Sequence, residues 1–405
     1  MLKKTKETKV FRDVIHNYIH VDLQVVWDLI NAKEFQRLRR IHQLGGAYEV
    51  YHTAEHSRFS HSLGVYETIR RMVYEVDDLN KALGEFDKAS IMIAGLLHDI
   101  GHLPFSHSFE HICPISHEEF SVRIILGDTD INKILTVADP GLARDVADII
   151  EYKHHNQLLN QLLSGQLDAD RMDYLLRDAY FTGTSYGKFD LERVMRTIRV
   201  KGDKLVVKQS GVYSVENYIL ARYHMYWQVY YHPVCRSFEM ILAATFKRLR
   251  YLHAHHQDPA AEVELLLPFL GDNPSIADHY NLDETVTVFV LSKVTRGKDA
   301  IAADLAQRIL NRRLFTYRNI NDKDELATLK EVVKRNGYNP DYYCLSDKAA
   351  QSPYKPYDSS RGHNIYVLKE NGKVEELSKQ SDIVAALVKG KMQEDWKAFY
   401  PKDIK

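Results

Sequence analysis

Apolar positions recur at helical spacing along most of this chain. Val25, Val26, Leu29 and Ile30 form one apolar face, and Phe35, Leu38 and Ile41 form another beyond Asn31. The pattern therefore predicts a helix over residues 22–42, closed by Gly45-Gly46. Further helices are predicted over 57–76, 88–98, 118–126, 130–137 and 142–163, from 168 through 178, and over 190–199. A long Tyr-rich helical stretch follows at 214–254, interrupted near Pro233 because proline lacks the N–H that a helix interior needs. β-branched and aromatic residues make 9–20 extended, and 48–52 reads as a short strand or loop. Residues 78–86 are a polar connection, 103–117 a loop with a short helix, and 181–187 a glycine-containing loop. Leu205-Val206-Val207 reads as one strand of a small hairpin. Residues 364–368 and 373–377, joined by Asn371-Gly372, read as a second hairpin. Beyond 257 the pattern changes: Pro259, Pro268 and Pro274 punctuate helices and loops to about residue 335, and 353–358 is turn-rich. The expected fold is mainly α, a multi-helix core with small β-hairpins. Its expected domains are 1–256 and a mixed α/β C-terminal lobe over 257–405.

A chain of 405 residues, 45% hydrophobic and 27% charged, is too long for one simple core and has the composition of a globular protein. The formal net charge of -1 supplies no bulk basic field to drive binding to nucleic acid or membrane. Three scattered cysteines with no CxxC pair suit a reducing compartment and exclude a thiolate zinc cluster. The basic start Met1-Leu2-Lys3-Lys4 is followed by no apolar segment of a signal peptide. No apolar run approaches the roughly 20 residues of a membrane span. The expected location is the cytoplasm.

Histidine changes this picture. Many of the 20 histidines crowd into residues 42–117. There the apolar run 91–97 leads directly into His98-Asp99-Ile100-Gly101-His102. By itself the His98-Asp99 pair is equally a buried hydrogen-bonded couple or half of a metal site. His61 and Asp170, each on another predicted helix, supply the missing donors, and helical proteins build metal sites from facing helices. Two imidazoles and two carboxylates suit Mg, Mn, Fe, Zn or Ni, with positions left open for water and a phosphate oxygen. Such an ion orients water, lowers its pKa and neutralises phosphate charge.

Three blocks carry a resemblance. They are Arg58-Phe59-Ser60-His61-Ser62-Leu63-Gly64-Val65, His98-Asp99-Ile100-Gly101-His102-Leu103-Pro104-Phe105-Ser106-His107, and Asp170-Arg171-Met172-Asp173-Tyr174-Leu175-Leu176-Arg177-Asp178. In this order they resemble the deoxynucleoside triphosphate triphosphohydrolase (dNTPase) branch of the HD-domain phosphohydrolases. The likeness is to Firmicute-type enzymes and to the HD core of the animal sterile-alpha-motif HD protein, over roughly residues 9–345.

The resemblance implies metal-dependent hydrolysis of dNTPs to deoxynucleoside and inorganic triphosphate, controlling dNTP pools, with Mg or Mn favoured as the supporting ion. It implies His61, His98, Asp99 and Asp170 as ligands. His102 would sit on the α-phosphate, His107 near the sugar or leaving oxygen, and His117 would be the general acid, oriented by Glu110. Arg58, Arg171 (often Lys in the family) and Arg222 would hold phosphates. Gln43 and Asp178 would bond the 3′-OH, Tyr174 and Tyr230 would pack under the sugar and exclude a 2′-OH, and Leu44 would touch the base. Tyr226 stands in the same pocket, where the family more often has His.

The resemblance also implies a nucleotide-activated homotetramer, with Lys9, Val10, Gln36 and Arg39, then Arg193 and Lys208, in the activator site. Asn31 stands where the animal protein reads guanine with Asp, and Arg12 where it has Asn, so dGTP or GTP is the expected activator class with the base left open. Regulation through a sterile-alpha-motif domain is not expected. Two other readings stay open: an HD phosphohydrolase acting on nucleoside monophosphates, cyclic dinucleotides or alarmones, and a non-catalytic nucleotide sensor. The Tyr- and Arg-lined pocket and the intact ligand set favour the first reading over both.

Overall fold

The computed structural model describes the chain except for residues 1, 107–108, 110–112, 114, 258–259, 272, 352–363, 390–392 and 405. The extended N-terminal stretch is a hairpin: β1 (Lys4–Asp13) pairs antiparallel with β2 (Asn17–Leu23). Asp13 makes its turn. Its carboxylate accepts from the N–H groups of Ile15 (2.8 Å) and His16 (3.0 Å), and Asn17 takes φ 61, which asparagine tolerates.

Several predicted helices are shorter than their apolar pattern. The 22–42 stretch forms a helix only over Gln24–Asn31; Ala32 is extended, and a short helix (Lys33–Gln36) and a 3-10 turn (Arg37–Arg40) follow. Asn31 gives the local reason, because its amide bonds the Trp27 carbonyl at 2.7 Å in competition with the helix ladder. Residues 142–163 divide into Leu142–Ile150 and Gln157–Ser164, with Asn156 capping the second piece by accepting from Leu158 N–H. Where 78–86 reads as a polar connection, Asp77–Ala82 is helical: two carboxylates complement its N-terminus and Leu79 buries. Of the two readings of 48–52 the loop holds: residues 47–49 form a 3-10 turn and 50–52 form no strand. The 190–199 helix stops at Thr197, where β3 (Ile198–Lys201) begins and pairs with β4 (Lys204–Lys208).

The helices that place the site are Arg58–Glu75, Glu85–Leu97, His117–Leu126 and Ala169–Thr182. Beyond them, the helix Val212–Met225 runs into a π-helical turn at Tyr226–Tyr230, and Pro233 opens the helix Pro233–Ala254. The chain later returns as β7 (Tyr366–Leu368) and β8 (Val374–Glu376), an antiparallel hairpin as the Asn371-Gly372 pair predicts. β7 lies parallel against β4, giving one sheet in the order β3-β4-β7-β8. The remaining sheet orders β5 (Thr316–Asn319), β9 (Gln393–Tyr400) and β6 (Leu345–Gln351) as β5-β9-β6. The molecule is mainly α with small sheets.

Among the described residues two large apolar cores form, with a small third cluster at Ala47, Ala54 and Cys235. The first packs the helices from 24 to 225 and takes in Ile365, Val367, Leu377 and Val384. The second packs the long helix from Pro233 with residues 263–344 and 398–399. The segment after Gly101 crosses between them: Ile100 belongs to the first core, and Leu103, Phe105, Phe109 and Phe120 to the second. Among the described residues no helix is long and apolar enough to cross a membrane.

Candidate active site

Residues 88–97 of the helix Glu85–Leu97 are buried throughout, so its C-terminal end delivers His98 and Asp99 into the interior. His61, one turn into its own helix, and Asp170, in the first turn of Ala169–Thr182, meet them there. His61 Nε2 lies 3.0 Å from Asp170 Oδ1 and 3.9 Å from Asp99 Oδ2. His98 Nδ1 donates to the Gly95 carbonyl at 2.8 Å, which leaves the lone pair on Nε2. That Nε2 is buried and has no hydrogen bond among the described residues, 3.3 Å from Asp99 Oδ1 and 3.6 Å from Asp170 Oδ1. His61, His98 and Asp99 each offer a ligand atom within 4.8 Å of the others. Burial opposes a charge on His61, but hydrogen bonds to Asp170 and Asp173 push its imidazole up to about 10. The carboxylates thus draw positive charge to this point, and a divalent ion answers the same demand. A buried bare imidazole nitrogen and a mixed N/O donor set fit such an ion.

Behind the ligands stands a residue to which sequence reasoning assigned no role. Asp173, one turn after Asp170, accepts from His61 Nδ1 (2.9 Å), His16 Nε2 (2.8 Å) and two Arg177 nitrogens (2.8 and 2.9 Å). Burial disfavours its charge, yet Arg177 and the two histidines hold it well below the usual carboxylate range. Arg177 also reaches Asp13 at 2.8 Å. Gly64 makes room for this group, since a Cβ there would stand 1.9 Å from Asp173 Oδ1 and 2.3 Å from Arg177 Nη2. The i, i+3 spacing of Asp170 and Asp173 is the signal that could have marked Asp173 in advance.

His102 and His117 stack with ring centroids 3.8 Å apart, and His102 Nε2 lies 3.3 Å from Asp99 Oδ1. Burial, then the Arg58 charge, holds the His102 imidazole well below its ordinary range, so it is neutral. Gly101 permits the stack: a Cβ there would meet the His117 carbonyl at 2.0 Å. His117 opens its helix, 3.5 Å from Glu118. His107 and Glu110 lie outside the described residues.

Arg58, expected on phosphate, bonds Asp99 Oδ2 (2.6 Å) and Ser106 Oγ (3.0 Å). Its charge outweighs burial and keeps Asp99 well below the usual carboxylate range. Phe105 and Ser106 both adopt positive φ (56 and 53) and are fixed from two sides. Ser106 Oγ donates to the His42 carbonyl (3.0 Å), and Glu284 accepts from Phe105 N–H (3.0 Å) and bonds the His42 ring.

Arg171 bonds the Gly165 carbonyl (2.6 Å) and the buried Asp168; Arg222 bonds Gln166 (2.9 Å). In both guanidinium groups Nε is buried and has no hydrogen-bond partner among the described residues. Tyr174 lies within the electrostatic reach of both arginines, and its ring is 6.5 Å from His61 and 6.2 Å from Tyr230. The π-helical turn presents Tyr226 and Tyr230 with centroids 5.1 Å apart. Tyr230 donates to Asp178 (2.7 Å), whose other oxygen bonds His56 (2.8 Å), a buried histidine that sequence reasoning missed. Gln43 Oε1 is buried with no partner among the described residues, and Leu44 packs between two apolar clusters.

The activator candidates fall into two groups. Trp27 gathers the first: Lys9 lies 5.9 Å over its ring and Asn31 bonds its carbonyl. Val10 is exposed beside Lys9, Gln36 bonds the Ile30 carbonyl, and Arg39 bonds Gln36 and covers the Phe59 ring at 3.6 Å. In the second group Arg193 bonds the Ser210 carbonyl, two residues beyond the exposed Lys208.

Comparison with known proteins places this geometry among relatives. The HD domain model matches residues 58–178, and the HD associated region matches residues 189–263. The uncharacterized protein YwfO of Bacillus subtilis is 45% identical over 99% of this chain and 94% of its own length. The deoxynucleoside triphosphate triphosphohydrolase SAMHD1 homolog of Dictyostelium discoideum is 30% identical over 60% of this chain and 49% of its own. The crystal structure of a phosphohydrolase from Bacteroides thetaiotaomicron superposes with a TM-score of 0.86 at 26% identity, covering 98% of this chain and 100% of that one.

Proposed function

This chain belongs to the HD-domain family, with the HD associated region, and from that premise we propose that it hydrolyses dNTPs to deoxynucleoside and inorganic triphosphate. As a family member it is a metal-dependent phosphohydrolase. The observation that carries the finer reading is the pair of unpartnered guanidinium N–H groups. Among the described residues no acceptor meets the buried Nε–H of Arg171 or of Arg222, near the Asp170 cluster, and a polyphosphate supplies acceptors of the right charge. The name of the Dictyostelium relative points to the same substrate class.

The neighbouring wall suits a deoxyribose. Tyr174 and Tyr230 offer ring surface to C2′, where a 2′-OH would be buried without a partner. Asp178 and the bare Oε1 of Gln43 accept from a 3′-OH, because a carboxylate already bonded to Tyr230 and His56 retains lone pairs. Leu44, apolar, touches the base without reading it.

His61, His98 and Asp99, with Asp170 beside the two imidazoles, would hold the ion, which would supply charge neutralisation and a more acidic water. Water adds to the α-phosphorus, the bond to the 5′ oxygen breaks, triphosphate leaves, and the deoxynucleoside departs with a proton on its 5′ oxygen. Neutral His102 contacts the α-phosphate, and His117, stacked on it, gives the proton to the 5′ oxygen. His107 and Glu110 retain their proposed roles near the leaving oxygen and behind His117. Arg58 holds Asp99 ionised and adds its charge at the phosphates. We extend the proposal to activation by a guanine nucleotide at Lys9, Val10, Asn31, Gln36 and Arg39 of one subunit and Arg193 and Lys208 of another, within a homotetramer.

The test incubates the protein with Mg or Mn and each dNTP, with and without dGTP, and identifies the phosphate product. Tripolyphosphate with deoxynucleoside is the expected result; pyrophosphate or orthophosphate overturns the reading. Asp99→Ala is expected to abolish turnover, and full activity in that variant removes the metal assignment.

A further inference from the structure

The turn of the N-terminal hairpin lies far from the ligand helices in sequence, yet it ends against Asp173 and Arg177, directly behind the candidate metal centre. His16 is almost wholly buried, 1% exposed in its side chain, and its Nε2 donates to Asp173 Oδ1 at 2.8 Å. Asp173 uses its other oxygen to accept from His61 Nδ1 at 2.9 Å. Asp13, at the other end of the same turn, bonds Arg177 at 2.8 and 3.3 Å, and Arg177 clamps both Asp173 oxygens. The turn also holds its own shape, through Asp13 and the N–H groups of Ile15 and His16.

We propose that Asp13 and His16 are positioning residues for the metal ligand His61, so that the N-terminal hairpin sets how tightly the ion is held. The inference rests on the metal-site reading above and on no assumption about the substrate. The physical case is directional. Asp173 must present one oxygen to His61 Nδ1 so that His61 Nε2 faces the ligand cluster. Two donors, His16 and Arg177, settle which oxygen that is and how the carboxylate plane lies. Partners that orient a ligating imidazole raise its basicity and are worth about 10–100-fold in metal affinity. Burial makes the arrangement stiff, since the side chains of Asp173, Arg177 and His16 are at most 1% exposed. A consequence follows for regulation. Asp13 closes the strand that carries Lys9 and Val10, so a ligand drawing on that strand acts on His61 through three links, Asp13 to Arg177, Arg177 to Asp173 and Asp173 to His61.

Co²⁺ binding by the full-length chain tests this, by competition with a chelating dye and by the visible band of the bound ion. His16→Ala is expected to weaken Co²⁺ binding about tenfold or more and to move the band. His16→Gln keeps an N–H donor toward Asp173 and is expected to restore both to within about threefold of the parent. A folded His16→Ala protein that binds Co²⁺ like the parent, with an unchanged band, overturns the inference and leaves the metal-site reading standing. A parent protein that binds no Co²⁺ overturns both. If circular dichroism shows His16→Ala unfolded, Asp13→Asn decides by the same two readouts: weaker binding with a moved band supports the inference, and parent-like values overturn it.

Discussion

Four side-chain N–H groups converge on Asp173, and Glu284 plays a comparable part at the edge of the site. Glu284 bonds the His42 ring and accepts from the His42 and Phe105 N–H groups, so one carboxylate joins the second core to the positive-φ residues before His107. Burial opposes the charge on His42, but Glu284 and then Glu55 outweigh it and push the imidazole up to about 9. The folded value lies above the roughly 6.5 of an unfolded histidine. This stabilisation is therefore complete below about pH 6.5 and disappears as the pH rises through about 9. The urea midpoints of the parent and His42→Gln should differ most at pH 6 and converge by pH 10; a gap that stays constant across that range removes His42 as its source.

At the scale of elements, packing decided where pattern was ambiguous. The helices around His61, His98 and Asp170 follow their apolar periodicity because each buries a wide face. The break at Ala32 and the π-helical turn at Tyr226–Tyr230 interrupt equally good periodicity, since a side-chain amide and an inserted residue act below the resolution of a hydrophobic pattern. Gly64 tests how closely two elements approach. The helix Arg58–Glu75 meets the helix Ala169–Thr182 with no space for a methyl group between Gly64 and Asp173. Gly64→Ala should cost about 1–3 kcal/mol in thermal or urea unfolding, and the shift of melting temperature on adding Mn should shrink with it. An unchanged melting curve with full Mn response would show that Asp173 and Arg177 can yield.

The whole molecule closes through a segment that no local pattern relates to the site. β7 adds to β4 in parallel, and Val367, fully buried, joins the core that holds the ligand helices. The candidate site itself sits where the two cores meet, with the chain after Gly101 anchored by Phe105 and Phe109 in the second core. Val367→Ala should lower stability by about 2 kcal/mol and should do so in the unfolding transition of the ligand helices. Hydrogen exchange of residues 85–97 reads this directly, and unchanged protection there would mean that the hairpin is a separate unit.

The sequence by itself determined the mainly helical class, the helices that carry His61, His98-Asp99 and Asp170, and the hairpin at Asn371-Gly372. Each of these is local: periodicity, a turn dipeptide or a spacing holds within a few residues. Tertiary structure alone decided that His16, Asp13 and Arg177 stand behind His61, that His56 shares Asp178 with Tyr230, that Arg58 spends a bond on Asp99, and that β7 completes the first core. Those contacts join residues more than 40 positions apart. A buried carboxylate is satisfied by whichever donors folding brings to it, and the order of residues along the chain does not state which donors those are.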